Sequence, residues 1–120
     1  MYLSEAKGMD IIMENRQKNV DEIAKIIQRR RFQILVHSYI YYRLNNNIVS
    51  NEQFDKWAEE LIYLQKIYPE ISEKVDLYEE FSDFTSIGDA VKLPFDKMPG
   101  LDGRARHLLR ICDGGGELYE

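Results

Sequence analysis

The sequence predicts an all-α protein with a single domain. Its apolar residues recur at helical spacing over long stretches, and asparagines or prolines stand where those stretches end. With 120 residues, 44% of them hydrophobic, the chain is long enough for one hydrophobic core and too short for two substantial ones. We therefore expect one helical domain at residues 1–112, built on a helical hairpin at 17–70 and followed by a flexible tail at 113–120.

The longest predicted helix covers residues 20–44. The preceding segment, residues 2–18, is also compatible with a helix, although Gly8 lowers helical stability by about 1 kcal/mol relative to Ala. Asn19 followed by Glu22 resembles a capping box, which predicts that a new helix begins there. The apolar spacing then continues without Pro or Gly to the end of the long helix.

A tight reversal is predicted at the three asparagines of residues 45–47. Asparagine competes for backbone hydrogen bonds and tolerates left-handed conformations, so it ends helices readily. Ser50 with Gln53 three residues later forms a second capping box, and the helix that it opens ends before Pro69. Two helices joined by so short a connection pack antiparallel.

Shorter elements are predicted in the rest of the chain. Four acidic residues fall at i, i+3, i+4 and i+7, namely Asp76, Glu79, Glu80 and Asp83. This spacing predicts an amphipathic helix with an acidic stripe, for which a solvated face is favoured over a recognition surface. Residues 85–103 contain three glycines and two prolines, so we expect an irregular connection with a short extended piece at 90–93. A closing helix is predicted at 104–111.

The charge distribution argues against nucleic-acid binding. The net charge is −5, and residues 44–120 carry sixteen Asp or Glu against eight Lys or Arg. Neutralising phosphates requires a basic surface, so we expect no direct contact with nucleic acid. Arg29, Arg30 and Arg31 form a local basic run, for which a solvated helix face is favoured over a phosphate site.

The sequence carries few signs of catalysis, metal binding or export. It lacks the common nucleophile, zinc and phosphate-loop motifs, and a site using both His37 and His107 would require two distant helices to converge. A single cysteine, Cys112, is expected to be a buried small apolar residue. With no leader-like segment and no run of about 18 apolar residues, we expect a cytoplasmic protein that does not enter membranes.

The hairpin corner concentrates aromatic and polar side chains. Tyr41 lies four residues after His37 on one side of the long helix, while Phe54 and Asp55 lie in the first turn of the next helix. An aromatic wall beside a carboxylate and helix-terminal amides suits a planar, polar ring. Alternatively these aromatics fill the hairpin core with their hydroxyls at the surface, and spacing alone favours that interpretation.

The run HSYIYYRLNNNIVSNEQFDKWAEELIYLQKIYPEI resembles the N-terminal helical domain Ia of bacterial NAD-dependent DNA ligases. That pattern is approximately His-x-Tyr-x-Tyr-His, a short loop, Ser/Pro-Asp-x-x-Tyr-Asp and, after a helix, His-Pro-Glu-Leu. The family's domain Ia grips the nicotinamide mononucleotide (NMN) half of NAD. The resemblance therefore implies a nucleotide pocket formed by five residues of this chain: Tyr41, Tyr42, Asn51, Phe54 and Asp55.

Three of these five positions depart from the family pattern. Tyr41 and Asp55 match, whereas Tyr42 replaces a histidine, Asn51 an aspartate and Phe54 a tyrosine. Each lost polar contact costs about 0.5 to 3 kcal/mol, so the resemblance implies a partly degraded pocket with weak affinity for NMN or NAD.

The resemblance implies no ligase activity for this chain alone. The Lys-x-Asp-Gly motif of the nucleotidyltransferase domain is not met by KMPGLDG, where Lys97 lies five residues before Asp102. The segment FSDFTSIGDAVKLPFDKMPGLDGRARHLLRI resembles the tail of small stand-alone ligase-related proteins, many of them from bacteriophages. The chain is thus expected to be a non-catalytic nucleotide-binding module. Alternatively, the four acidic residues engage a basic surface on a host nucleic-acid enzyme.

Overall fold

The computed structural model describes residues 5–113, with side chains described for residues 17–112. All regular elements in this part are helical, which confirms the predicted all-α class. The α-helices are α1 (Glu5–Arg43), α2 (Asn51–Ile67), α3 (Pro69–Glu73), α4 (Tyr78–Phe81) and α5 (Leu101–Asp113). Two 3₁₀ helices occupy Ile87–Lys92 and Phe95–Lys97.

One continuous helix replaces the two helices predicted at the N-terminus. α1 runs through Gly8 and Asn19, so the predicted start at Asn19 is wrong. Gly costs about 1 kcal/mol in a helix and Asn less, and neither removes a backbone donor as Pro would. At 1.5 Å per residue its 39 residues span about 58 Å, so α1 sets the 62 Å long dimension of the molecule.

The predicted reversal and the predicted cap at Ser50 are both present. Asn45 adopts the left-handed conformation with φ 52°, and the amide of Asn46 donates to the carbonyl of Ile40 at 3.1 Å. The Ser50 hydroxyl then accepts from the amide of Gln53 at 3.0 Å and caps α2. The local signals therefore fixed both ends of the turn.

The two long helices pack antiparallel, as predicted. His37 contacts Trp57 with ring centroids 5.3 Å apart, and Arg31, six positions earlier on α1, reaches Gln65, eight positions later on α2. Residues nearer the N-terminus of α1 therefore contact residues nearer the C-terminus of α2. The main core between them consists of buried aliphatic and aromatic side chains, including Ile27, Ile34, Leu35, Trp57, Ala58, Leu61, Phe81 and Phe84.

The helix predicted at the acidic residues is much shorter than expected. Only Tyr78–Phe81 is helical, and Leu77 before it has φ 70°. The carbonyls of Val75 and Asp76 accept hydrogen bonds from Arg31, each at 2.9 Å. Because those carbonyls are engaged by a side chain and Leu77 is left-handed, a longer amphipathic helix cannot form, and that prediction is wrong.

The C-terminal half covers the hairpin with short helices. The extended piece predicted at 90–93 is wrong, since residues 87–92 form a 3₁₀ helix in which Ser86 and Asp89 cap each other's backbone amides. The closing helix is present as α5, and its Ala105 and Leu108 form a second buried cluster with Ile40 of α1. Of the predicted tail, Asp113 ends α5 and residues 114–120 lie outside the described residues, as do residues 1–4.

Candidate functional site

A cavity of about 220 Å³ opens at the hairpin corner. Its wall contains all five residues assigned to the nucleotide pocket: Tyr41, Tyr42, Asn51, Phe54 and Asp55. His37 and Ser38 of α1 also line it, together with residues 47–49 of the connecting loop. Ile87 and Gly88 complete the wall from the 3₁₀ helix, so the cavity lies between three separate parts of the chain.

The aromatic wall is half exposed. The rings of Tyr41 and Tyr42 meet edge to face, with centroids 4.9 Å apart and planes at 88°. Their exposed fractions are 54% and 42%, whereas Phe54 of α2 is partly buried against the core. Exposed aromatic rings at the mouth of a cavity have surface left to bury against a planar ligand.

The polar wall comes from the first turn of α2. Asn51 and Asp55 are four residues apart and therefore lie on one side of the helix, and both line the cavity. The Ser50 cap fixes where this turn begins. None of the described residues donates a hydrogen bond to the Asp55 carboxylate or forms an ion pair with it. The carboxylate oxygens of Asp55 are thus available to accept hydrogen bonds from a ligand.

The innermost wall consists of two buried polar residues. Ser38 is fully buried, and its hydroxyl has no hydrogen-bond partner among the described residues. His37 is 4% exposed, and burial lowers its pKa to about 4. The imidazole is therefore neutral at neutral pH. A buried hydroxyl without a partner costs free energy, so a ligand that hydrogen-bonds to Ser38 would recover that free energy on binding.

Sequence reasoning missed part of this wall. Ser38 lies four residues before Tyr42, as His37 lies before Tyr41, so the helical period was a usable signal for it. Ile87 and Gly88 carry no such signal, because only the folding of the 3₁₀ helix onto the hairpin brings them there.

The four acidic residues do not form the predicted stripe. Asp76 lies outside α4 and accepts from the side chain of Gln28 at 3.4 Å. Glu79, Glu80 and Asp83 instead line a separate surface concavity of about 470 Å³. The same concavity contains Asp89 and Lys92, whose charged atoms are 3.8 Å apart.

The three consecutive arginines have different environments. Arg29 is exposed and Arg30 pairs with Glu60, but Arg31 is fully buried, so the expected solvated face is wrong for it. Arg31 lies four residues after Ile27 and four before Leu35, which places it on the core-facing side of α1. That spacing was the signal that sequence reasoning missed.

The other singled-out residues lie away from the cavity. His107 is exposed on α5, and Cys112 is partly buried against the second cluster. Within residues 17–112, no three His, Cys, Asp or Glu side chains come together in a metal-binding arrangement. None of the described helices combines the length and apolar character that crossing a membrane requires.

Comparison with known proteins gives matches to DNA ligases. The chain is 43% identical over 51 residues to the DNA ligase of Pseudothermotoga lettingae and 35% identical over 57 residues to that of Thermotoga petrophila. A third match, to the DNA ligase of Coprothermobacter proteolyticus, is 42% identical over 50 residues. These segments cover 42%, 48% and 42% of this chain.

The matching region is a small part of each relative. The chain spans about 8% of the length of these curated ligases. No family model and no solved structure matches it. The comparisons therefore show that about half of this chain is similar to a short segment of DNA ligases, as the hairpin residues indicate.

Proposed function

We propose that the protein is a non-catalytic module that binds a nicotinamide nucleotide, NMN or NAD, in the hairpin cavity. One observation carries the proposal. The ligase resemblance assigns five residues to a nucleotide pocket. These residues come from two helices and lie up to 14 sequence positions apart, yet all five line one cavity. The similarity to DNA ligase segments supports the same assignment from outside the structure.

The cavity's size suits the ring rather than a whole dinucleotide. Sites for drug-sized ligands have volumes of about 300–1,000 Å³, and this cavity holds about 220 Å³. A nicotinamide ring would enter beside Tyr41 and Phe54, and the rest of the nucleotide would extend past the exposed mouth. The carboxamide of the ring would find partners in the Ser38 hydroxyl and the Asn51 amide.

The three departures from the family pattern weaken this site without removing it. Phe54 keeps a stacking face and Asn51 keeps hydrogen bonding, while Tyr42 replaces a group that can become cationic with one that cannot. Each lost polar contact costs about 0.5 to 3 kcal/mol of binding free energy, and each 1.4 kcal/mol lowers the affinity tenfold. We therefore expect dissociation constants well above those of a functional ligase pocket.

Isothermal titration calorimetry with NMN and NAD to millimolar concentration tests the proposal. Asp55→Ala removes the carboxylate in the cavity wall, and Glu59→Ala removes an exposed carboxylate one turn later on α2. Binding should be lost in the first variant and kept in the second. Tyr41→Ala and Tyr63→Ala form a second pair, since Tyr63 is 60% exposed and outside the cavity.

Either of two results would overturn the proposal. Wild-type protein that gives no heat with either nucleotide has no working pocket. Binding that survives both Asp55→Ala and Tyr41→Ala occurs at another place on the molecule. Circular dichroism of each variant should give the wild-type helical signal, which separates a lost contact from a lost fold.

A second candidate function uses the concavity lined by Glu79, Glu80 and Asp83. With Asp89, four carboxylates lie in this one concave surface and favour a basic protein surface as the partner, and Lys92 neutralises only part of that charge. Binding of an arginine-rich peptide, followed by fluorescence anisotropy, should weaken with salt and with Glu79→Lys plus Asp83→Lys. Glu52→Lys plus Glu59→Lys on α2 is the matched control. Equal losses in both double variants would mean attraction by net charge alone.

A further inference from the structure

The charges around the hairpin cavity are unbalanced. Among the described residues that line it, Asp55 is the single acidic side chain, and neither Lys nor Arg contributes to the wall. His37 is neutral there because burial lowers its pKa to about 4. Among the described residues, the cavity therefore presents one acidic side chain and no cationic side chain to a ligand.

Arg43, the arginine nearest in sequence to the cavity residues, contacts other residues. Arg43 follows Tyr42 directly, but its guanidinium donates to both carboxylate oxygens of Asp96, at 2.8 and 3.2 Å. The same group lies over the ring of Phe95, with its central carbon 5.3 Å from the ring centroid. The Arg43 guanidinium is therefore already paired with a carboxylate, and Arg43 is not among the residues that line the cavity.

The aromatic wall has the same electrostatic preference as Asp55. Tyr41 and Tyr42 stand perpendicular to each other at the mouth, and Phe54 contributes a third ring. The faces of aromatic rings are negative and attract cations, most strongly where water is excluded. A positively charged planar group would therefore be favoured by the rings and by the carboxylate together.

A nicotinamide nucleotide contains charges of both signs. Its ring nitrogen, bonded to the ribose, makes the oxidised ring a pyridinium cation, whereas its phosphate is an anion. The reduced ring and nicotinamide itself are neutral. The wall described above attracts the pyridinium ring, and its described residues include no cationic side chain to pair with the phosphate.

We infer that the cavity selects the cationic N-substituted pyridinium ring and does not hold the phosphate, so that its preferred ligand class is the oxidised nicotinamide nucleoside. This inference rests on the proposed nucleotide function and narrows it to one part of the nucleotide. The carboxylate of Asp55 and the rings of Tyr41 and Tyr42 supply the selectivity. Ser38 and Asn51 hold the carboxamide, which the charged and neutral rings share.

A panel of four ligands tests the inference on the full chain. Nicotinamide and 1-methylnicotinamide differ by one methyl group and one positive charge, and nicotinamide riboside and NMN differ by the phosphate. Binding can be followed by calorimetry and by the fluorescence of Trp57, the single tryptophan, which contacts the cavity residue His37. The decisive comparisons are made within the wild-type protein, so they do not depend on how any variant folds.

We expect 1-methylnicotinamide to bind roughly tenfold more tightly than nicotinamide, since a cation–π contact at half-exposed rings, aided by the Asp55 carboxylate, is worth about this factor. Nicotinamide riboside should bind at least as tightly as NMN. Asp55→Asn keeps the size of the side chain and should reduce the preference for the cation, while Glu59→Gln should leave it unchanged. Tighter binding of NMN than of the riboside, or equal binding of the charged and neutral rings, would overturn the inference.

The two proposals fail differently. If NMN binds through Asp55 but more tightly than the riboside, the nucleotide function stands and the charge selectivity is wrong. If none of the four ligands nor NAD binds, the nucleotide function itself is wrong and the selectivity falls with it.

Discussion

The Nη2 atom of Arg31 on α1 donates to the hydroxyl of Ser72 on α3 at 2.6 Å, and both side chains are buried. The same guanidinium donates to Gln65 of α2 and to the carbonyls of Val75 and Asp76, each at 2.9 Å. Gln65 in turn donates to the carbonyl of Phe81 at 3.2 Å. One buried cation therefore joins the hairpin to the short helices that cover it.

Replacing Arg31 by Met should destabilise the protein by roughly 3 kcal/mol or more, because several buried acceptors would lose their donor at once. Burial lowers the pKa of Arg31 to about 10, so the group is still charged at neutral pH. Urea unfolding monitored by circular dichroism measures the change. Arg29→Met, at an exposed position of the same helix, is the control and should stay within about 0.5 kcal/mol of wild type.

Arg31→Lys separates charge from geometry. An ammonium keeps the charge but lacks the planar fork that reaches Ser72, Val75 and Gln65 together. We expect it to recover only a minor part of the lost stability. Full recovery would mean that the charge alone stabilises the covering helices.

The stability of the fold should fall between pH 7 and pH 5 because of His37. Its folded pKa of about 4 lies below the unfolded value of 6.5, so between these two values the unfolded state binds the proton and the folded state does not. Stability is therefore present above the unfolded pKa and is lost as the pH falls towards 4. From pH 7 to pH 5 the loss is about 2 kcal/mol.

His37→Gln should flatten this dependence, and His107→Gln at an exposed position of α5 should not. Unfolding in urea at pH 7, 6 and 5 provides the measurement. Asp89, Asp96 and Asp102 also have lowered pKa values, but their contributions to stability are lost mainly near and below the ordinary carboxylate pKa, so the change from pH 7 to pH 5 reports chiefly on the histidine. An unchanged slope in His37→Gln would assign the pH dependence to another group.

Removing the cap of α2 should cost stability and weaken the cavity. Ser50→Ala removes the hydroxyl that accepts from the amide of Gln53, for a loss of about 1 kcal/mol in unfolding free energy. Asn51 and Asp55 belong to the turn that this cap fixes, so nucleotide affinity should fall as well. Ser50→Asp restores a cap and should restore the stability. A stable Ser50→Ala protein would show that packing alone starts the helix.

The turn residue Asn45 tests the left-handed conformation directly. Its φ of 52° is tolerated by Asn and Gly but costs most other residues about 1 kcal/mol or more. Asn45→Ala should therefore lower the unfolding free energy, and Asn45→Gly should leave it nearly unchanged. Because Asn45 is exposed, lost packing contributes little to the difference. Equal effects of the two substitutions would mean that the turn relaxes to another conformation.

Local chemistry made the hairpin predictable. Ser50 caps a backbone amide three residues away, Asn45 ends α1 through its own φ, and both interactions lie within one turn of chain. The same local approach failed at Asn19, because a cap signal inside an otherwise favourable helix costs too little to break it. Sequence thus located the turn and the two helices but not the full length of α1.

The hairpin residues also pointed to the candidate site. Tyr41 and Asp55 are close to the turn, so any antiparallel pairing of the two helices brings them to the same corner. The resemblance to DNA ligases, supported by the matches to ligase segments, added Tyr42, Asn51 and Phe54. Whether that corner was a cavity or a filled core could not be decided from spacing, because the answer depends on what packs over it.

The sequence by itself determined the helical class, the reversal at the asparagines and the cap of α2, since each depends on contacts within a few residues. The tertiary structure alone decided that Arg31 is buried, that α4 is a single turn and that Ile87 and Gly88 close the cavity. These features depend on groups about 40 to 50 positions apart in the chain. No local pattern encodes them, because a buried guanidinium and the carbonyls it satisfies acquire their environment only when the helices pack.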